Sequence, residues 1–292
     1  MALYEFVKSI SHQHAVALIC NVLQLSRSGY YEWKNNKSHR NKNKMDPLQE
    51  KVAAVFWQHK RRYGCRRIVA ELKRHDILIS LYKAKKLLAA NGLKAIQPRS
   101  FVPKTTNSRH GYPISPNLLK DRPVPATINQ VWVGDITYIP IANGTFLYLS
   151  VWMDLCSRKI VGWDLQNHMR EALVSASFQR AISNRNINTH LIVHSDRGGQ
   201  YGANKFRRLL ASPLINQSMS DRDNPYHNAH MESCFSRFKA ELMQAGAFKD
   251  AEHSRSEIFE FIEMYYNPRR LHSSIGYLSP NDYEKKLHEK KS

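Results

Sequence analysis

The sequence predicts a mixed α/β domain in the C-terminal part of the chain, preceded by small all-helical units. Three short runs rich in β-branched and aromatic residues follow residue 127, and tight turns join them, which is typical of an antiparallel meander. A helical stretch and a further apolar run come next, and a crossover of this kind is typical of mixed sheets. Before residue 97 the apolar residues recur at helical spacing instead. We therefore expect a mixed five-stranded sheet with flanking helices, and helices alone upstream of it.

The charge of the chain is strongly positive and unevenly distributed. The 292 residues include 44 Lys and Arg against 24 Asp and Glu, a net charge of +20. Residues 1–130 hold 24 basic and 7 acidic residues and carry +17, whereas residues 131–292 hold 20 and 17 and carry +3. Such a balance indicates a polyanionic partner, nucleic acid above all, rather than an acidic small molecule.

Neither the cysteines nor the apolar stretches indicate export or a membrane. The four cysteines are scattered singly without a C-x-x-C pair, which favours reduced thiols in a cytosolic protein. The first residues lack the pattern of a signal peptide, and no run reaches the roughly 18 apolar residues that a membrane helix needs. We expect a cytoplasmic protein with no membrane partner.

The first predicted segment covers residues 1–44. Residues 13–33 predict two short helices, with Ser26 or Ser28 as the N-cap of the second. This pattern fits a helix-turn-helix that contacts DNA, and it equally fits a small helical hairpin that packs on its neighbour. The run 34–44 is basic and has no periodicity, so we expect it to be a linker.

Residues 45–96 predict a second helical domain, with helices near 46–59, 66–75 and 80–91. The turn "KRRYGCRR" places cations around Tyr63, which we interpret as an exposed aromatic residue. Clustered cations beside an exposed aromatic suit contact with phosphates, so we expect this domain to bind DNA; a merely solvated basic face is the alternative. The candidate DNA-contacting residues here are Arg61, Arg62, Arg66, Arg67, Lys83, Lys85 and Lys86.

The remaining chain divides into a linker, the α/β core and a tail. Residues 97–126 contain six prolines and little periodicity, which predicts a Pro-rich basic linker. We place the core at 127–285 and a basic tail at 286–292. The predicted core elements, in order, are strands in "QVWVGDITYIPI", "FLYLSVWMDL" and "KIVGWDLQ", a helix at 170–184, a strand in "THLIVH", a helix at 203–211, a strand around "PLINQSM", a helix carrying Glu232 and a helix at 254–266.

Three acidic residues lie at positions where a carboxylate is expected to bind a ligand. Asp135 lies midway along the first strand among apolar neighbours, where a carboxylate is costly without a partner. Asp196 follows a strand, at the end where open α/β sheets place ligands, and Glu232 lies on a helix. Carboxylates that meet at one sheet edge suit Mg²⁺ or Mn²⁺, and two such ions serve phosphoryl displacement. Lys239 lies two helical turns beyond Glu232, so we expect it on the same face, where it can hold a substrate phosphate.

A zinc site is the alternative interpretation of the segment around Glu232. The stretch "YHNAHMESC" brings together His227, His230, Glu232 and Cys234, all of which are zinc-ligand types. Helices that bind zinc through H-E-x-x-H place the histidines four apart with a glutamate beside the first. Here the histidines are three apart and the glutamate follows both, so the spacing argues against zinc.

The spacing of the acids leads to a family resemblance. Sixty residues separate Asp135 from Asp196, and 35 separate Asp196 from Glu232. With the blocks "WVGDITYI", "HSDRGGQYGA", "NPYHNAHMESCFSRFKAEL" and "YYNPRRLHSSIGYLSPNDYE", the chain resembles the D-D-35-E transposases and retroviral integrases. It most closely resembles the second-frame (OrfB-type) transposase of the IS-three family of bacterial insertion sequences. "RRYGCRRIVAEL" and "KKLLAANGL" resemble the family's upstream DNA-binding segment.

The resemblance implies a complete set of functional expectations. The core should be ribonuclease-H-like, with Asp135, Asp196 and Glu232 as metal-binding catalytic acids and Lys239 as a DNA contact. The implied activity is metal-dependent cleavage and transfer of DNA strands, with Mg²⁺ or Mn²⁺, two ions in all, as cofactor. The implied partners are double-stranded DNA at element ends and target, further copies of the chain on that DNA, and the upstream-frame protein. The implied location is the nucleoid of the bacterial cytoplasm.

Two departures from the family pattern motivate an alternative function. Asp223 and His227 stand where the family has glycine and aspartate, and a residue with a side chain is strained at a position that needs φ > 0. The chain also lacks the helix-turn-helix and leucine-zipper region that the family encodes in its upstream frame, so we expect inefficient cutting by the chain alone. The alternative is a catalytically inert DNA-binding remnant, or a regulator that binds element ends.

Overall fold

The computed structural model describes residues 2–35, 46–97, 111–120, 122–221, 229–243, 246 and 248–290; within 229–235 it describes the backbone only. The predicted linkers at 34–44 and 97–126 therefore fall partly outside the described residues, as do the loop with Asp223 and His227 and the end of the predicted tail. The chain divides into two compact units, Met1–Lys51 and Val52–Ser292.

The first unit contains three short helices, α1 (Ala2–Ile10), α2 (Val16–Val22) and α3 (Arg27–Lys34). The sequence predicted α2 and α3 but not α1. Ser26 is the N-cap of α3, because its hydroxyl accepts a hydrogen bond from the N–H of Gly29 at 3.3 Å. The buried centre of this unit consists of Val7, Ile19, Cys20 and Tyr30.

Three helices precede the sheet, and their positions confirm the predicted ones. They are α4 (Pro47–Gln58), whose residues from Val52 onward belong to the second unit, α5 (Cys65–Arg74) and α6 (Leu81–Ala90). The Ser80 hydroxyl caps α6 by accepting from the N–H of Lys83 at 3.1 Å. The helix ends at Asn91, and Gly92 follows with φ of 63°, a conformation that glycine adopts without strain.

The core is built on a mixed five-stranded sheet with the order β3-β2-β1-β4-β5. β1 and β2 pair antiparallel, as do β2 and β3, whereas β4 is parallel to both β1 and β5. This arrangement confirms the predicted α/β class. The strands are β1 (Val131–Pro140), β2 (Phe146–Asp154), β3 (Ile160–Gln166), β4 (Leu191–Ser195) and β5 (Ile215–Met219).

Helices cover both faces of the sheet. On one face Trp132 and Trp152 pack with Phe178 and Phe206; on the other, strand residues pack with Phe238 and its neighbours. The described helices are α7 (Glu171–Ser183), α8 (Gly199–Gly202), α9 (Asn204–Leu209), α10 (Ala229–Leu242), α11 (Ala251–Phe259), its π-helical continuation Glu260–Tyr266, a 3-10 turn at Ser273–Ile275, and α12 (Pro280–Glu289). Of these, α12 was not predicted, and it runs past the predicted core boundary at residue 285.

Gly134 allows the tight packing beneath the first acidic residue. A Cβ at this position would lie 2.5 Å from the ring of Trp152, which is fully buried. Only glycine therefore lets β1 lie against this ring without a shift of the backbone. The packing fixes β1 one residue before Asp135.

Part of the proline-rich stretch packs against the core rather than running free of it. Leu118 and Leu119 contact the apolar cluster of the sheet, and the N–H of Leu118 donates to the Ser218 hydroxyl at 2.9 Å. The stretch is thus a linker only in part, because leucines within it bury apolar surface. Across the described residues, no helix combines the length and the apolar character that a membrane crossing requires.

Candidate active site

Asp135 projects from the middle of β1, opposite Val151 of β2. One carboxylate oxygen accepts from the N–H of Ile136 at 2.9 Å, and the other accepts from the Lys239 ammonium at 2.9 Å. Both side chains of this ion pair are about one-third exposed, 35% for Asp135 and 36% for Lys239. The pair thus supplies the partner that a carboxylate in this apolar strand needs, while leaving the site open to solvent.

The register between the parallel strands β1 and β4 carries Asp196 to the level of Asp135 in the sheet. Val133 of β1 is opposite His194 of β4, and two residues further along each chain lead to Asp135 and Asp196. The N–H of Gly198 donates to Asp196 Oδ1 at 2.9 Å. A Cβ on Gly198 would lie 3.0 Å from that same oxygen, so the glycine permits this close contact. The loop after β4 therefore fixes the orientation of the Asp196 carboxylate.

Tyr201 is a member of the site that the sequence did not reveal. It lies in the short helix α8, is 2% exposed, and its ring packs against Trp152. Among the described residues its hydroxyl has no hydrogen-bond partner. Burial, together with the negative charges of Asp196 and Asp135, raises the pKa of Tyr201 well above its usual value, so the hydroxyl stays protonated. No periodicity or charge in "GGQY" marks this tyrosine; only the fold brings it near both acids.

The helix α10 carries the other two predicted site residues. Lys239 reaches Asp135 directly, and Glu232 precedes Lys239 by seven residues in the same helix. The side chain of Glu232 lies outside the described part of the chain. So do the side chains of His230 and Cys234, as well as His227 as a whole, so the zinc alternative is not tested. Among the side chains that are described, no group of three His, Cys, Asp or Glu is placed to hold a metal.

The predicted DNA-contacting residues divide into outward and inward groups. Arg61, Arg66, Lys85 and Lys86 are exposed, and Lys83 is half-buried. Arg62 and Arg67 instead make contacts inside the protein, described below. Tyr63, expected to be exposed, is fully buried, because its ring is part of the same internal contact.

Comparison with protein families shows what class of protein this architecture defines. Residues 125–225 and 214–280 match two models of the integrase core domain, and residues 44–101 match an HTH-like domain. The fold is thus that of an integrase-type core that follows an upstream helical domain. The predicted ribonuclease-H-like core is confirmed.

Curated relatives identify the family. The chain is 34% identical to the transposase InsF for insertion sequence IS3A of Escherichia coli (strain K12), over 97% of this chain and 98% of that protein. It is 40% identical to the transposase for insertion sequence element IS904 of Lactococcus lactis subsp. lactis (strain IL1403), over 82% of this chain and 93% of that protein. The chain belongs to this family of insertion-sequence transposases, as the sequence motifs predicted. Membership favours the transposase over the catalytically inert alternative.

A solved structure of the simian T-cell lymphotropic virus intasome in complex with PP2A regulatory subunit B56 gamma is also similar. It shares 16% identity and a TM-score of 0.46, covering 80% of this chain and 73% of that one.

Proposed function

We propose that this transposase cuts and joins DNA at a site formed by Asp135, Asp196 and Glu232. The observation that carries the proposal is the ion pair between Lys239 and Asp135, which joins the helix that contains Glu232 to β1, whose parallel register with β4 carries Asp196 to the same level. Residues seven apart lie on one face of a helix, so position 232 is on the face that Lys239 presents to Asp135. Water attacks the phosphorus of a phosphodiester at an element end, and the P–O3′ bond breaks, which leaves a 5′-phosphate and releases a 3′-hydroxyl. That 3′-hydroxyl attacks a second phosphodiester, whose own P–O3′ bond breaks and releases the 3′-hydroxyl of the displaced strand.

The donor set fits a hard divalent cation. Integrase-type cores use divalent metal ions, and the described donors here are partly exposed carboxylates beside a protonated phenol, with oxygen atoms only. Asp135, Asp196 and Glu232 would hold Mg²⁺ or Mn²⁺, two ions in our proposal. When bound, the ions supply a nucleophile of lowered pKa and stabilise charge on the attacking and leaving oxygens.

Lys239 and the basic residues of the upstream helical domain contact different phosphates of the DNA. Lys239, which donates to Asp135, holds a phosphate oxygen of the scissile strand by a charge-assisted hydrogen bond. Arg61, Arg66, Lys83, Lys85 and Lys86 contact phosphates of double-stranded DNA at element ends and target. We propose that copies of the chain assemble on that DNA at the bacterial nucleoid, together with the upstream-frame protein.

The test is a nicking assay on supercoiled plasmid that carries the element ends. The purified chain is incubated with Mg²⁺ or Mn²⁺ and compared with Glu232→Gln, and Glu257→Gln is the matched control because Glu257 is exposed on α11. We expect nicking by the native chain and by Glu257→Gln, and none by Glu232→Gln. Equal nicking by all three proteins would remove Glu232 from the site.

A further inference from the structure

The basic turn between α4 and α5 is built into the interior of the second unit. Tyr63 is fully buried, and its ring stacks on His59 with the ring centroids 3.7 Å apart. The Tyr63 hydroxyl donates to the carbonyl of Arg269 at 3.3 Å and accepts from the N–H of Leu271 at 2.8 Å. The turn is therefore fixed to the segment that follows the π-helical continuation of α11.

Arg62 is held by aromatic rings and by α10. Its guanidinium carbon lies 4.7 Å from the ring centroid of Phe261 and 4.5 Å from that of Tyr265. Its Nε donates to the carbonyl of Glu241 at 3.3 Å. Arg62 thus joins the basic turn to the catalytic core.

Glu241 is the centre of a buried ion cluster. Its side chain is 7% exposed, and one carboxylate oxygen accepts from Arg67 Nη1 at 3.1 Å. Arg270 donates to both oxygens, from Nη2 at 2.6 Å and from Nε at 2.5 Å. Burial opposes the charged form, but the Arg270 and Arg67 guanidiniums outweigh it and lower the pKa of Glu241. A single carboxylate therefore ties α5 to α10 and to the chain around residue 270.

The position of Glu241 along α10 gives this cluster a functional consequence. Glu241 lies two residues after Lys239 and nine after Glu232 in one helix. A helix advances about 1.5 Å per residue as a stiff rod, so fixing Glu241 sets the rotation and height of the whole helix. Buried ion clusters add little net stability compared with apolar packing, and fixing register is their best-attested use.

We propose that Glu241 and Arg67 are positioning residues, which hold α10 in the register that the acid site requires and so couple the DNA-binding helices to the catalytic helix. This proposal rests on the proposed function of Glu232 and Lys239. It assigns Arg67 to the interior, although its sequence context resembles that of its exposed neighbour Arg66.

The test compares Arg67→Gln with Arg67→Lys and with Arg66→Gln as the matched control. Three quantities are measured for each full-length protein: Mn²⁺ affinity by calorimetry, amide exchange of peptides covering 229–242, and the salt dependence of DNA affinity. For Arg67→Gln we expect about tenfold weaker Mn²⁺ binding, as for other residues that orient metal ligands, faster exchange in α10 and an unchanged salt slope. Arg67→Lys should restore most of the Mn²⁺ affinity. Arg66→Gln should lower the salt slope by about 0.9 and leave the other two quantities unchanged.

The opposite pattern would overturn the proposal. If Arg67→Gln lowers the salt slope as Arg66→Gln does, while Mn²⁺ affinity and exchange stay unchanged, Arg67 is a DNA contact and not a positioning residue. If Arg67→Gln does not fold, Arg67→Met is measured in its place, because it removes the guanidinium but keeps an unbranched side chain of similar bulk. If the native chain neither binds Mn²⁺ nor nicks DNA, the proposed function fails. The exchange measurement still decides the coupling in that case, because it needs no metal.

Discussion

Two pairs of carboxylates, Asp154 with Glu284 and Asp135 with Asp196, differ in how completely protein donors surround them. Asp154, at the end of β2, is fully buried and accepts hydrogen bonds from the N–H groups of Asn129, Cys156 and Ser157 at 2.7 to 2.9 Å. Asp135, on the neighbouring strand, is 35% exposed, and in the described part of the chain it accepts from the N–H of Ile136 and from the Lys239 ammonium. One group is enclosed by partners, and the other faces solvent.

The second member of each group strengthens the contrast. Glu284 of α12 forms a bidentate pair with Arg185, 2.8 Å at each oxygen, and also accepts from Lys159 and Ser157. Asp196 stands instead on the loop after β4, half-buried, where it accepts from the N–H of Gly198 at 2.9 Å. A carboxylate saturated by protein donors holds elements together, whereas one that leaves coordination to a ligand performs chemistry. The predictions below test this distinction.

The largest expected effect is on activity at the open site. Asp135→Asn should lower the nicking rate at least about 1000-fold, because a metal site contributes several kcal/mol and each 1.36 kcal/mol is tenfold in rate. Its free energy of unfolding should change by less than about 1 kcal/mol, since removing one of two adjacent like charges relieves repulsion. Nicking assays and urea unfolding measure the two quantities. A large stability loss with normal nicking would place Asp135 among the structural acids.

At the enclosed carboxylate Glu284, we expect substitution to lower the free energy of unfolding. Glu284→Ala leaves Arg185, only 10% exposed, without its bidentate partner, and breaking a buried pair costs about 3–5 kcal/mol. Asp282→Ala, on the same helix, is the matched control, because its pair with Arg74 is more exposed and contributes about 1 kcal/mol or less. Urea unfolding compares them. Equal losses in the two variants would contradict the structural role of Glu284.

Acid should remove the stability that the Glu284 carboxylate contributes to the fold. Burial raises the pKa of Glu284, but Arg185 and Lys159 outweigh burial and hold it below the ordinary value. A carboxyl whose pKa is lower in the folded state stabilises the fold above its unfolded pKa, about 4.3, and this stability is lost as the pH falls through the folded value. The free energy of unfolding should therefore fall as the pH drops below about 4.3, and less steeply in Glu284→Gln. The same slope in both proteins would contradict the assignment.

The sequence predicted the elements more completely than their contacts. Strand alternation, helical spacing and a Ser N-cap are local signals, and they located the five strands and most helices. The parallel pairing of β1 and β4, which carries Asp135 and Asp196 to one level of the sheet, followed from strand order, which a parallel crossover makes predictable. The sequence did not predict that Arg62 and Arg67 point into the protein, because an inward and an outward arginine have the same local sequence context. Nothing local distinguishes Asp154 from Asp135 either, since both stand among apolar strand residues.

The smallest expected effect is on the free energy of unfolding of Tyr201→Phe, and the sign of this effect shows whether the hydroxyl stabilises the fold. Tyr63→Phe removes a hydroxyl with two partners and should cost about 0.5–1.5 kcal/mol for each hydrogen bond. Tyr201→Phe removes a buried hydroxyl that has no partner among the described residues, so the free energy of unfolding should stay unchanged or rise. Its nicking rate should nevertheless fall about tenfold, the equivalent of one hydrogen bond near the reacting atoms. A loss of stability with unchanged nicking would mean that the hydroxyl belongs to the core. In that case the open site would consist of carboxylates and lysine alone.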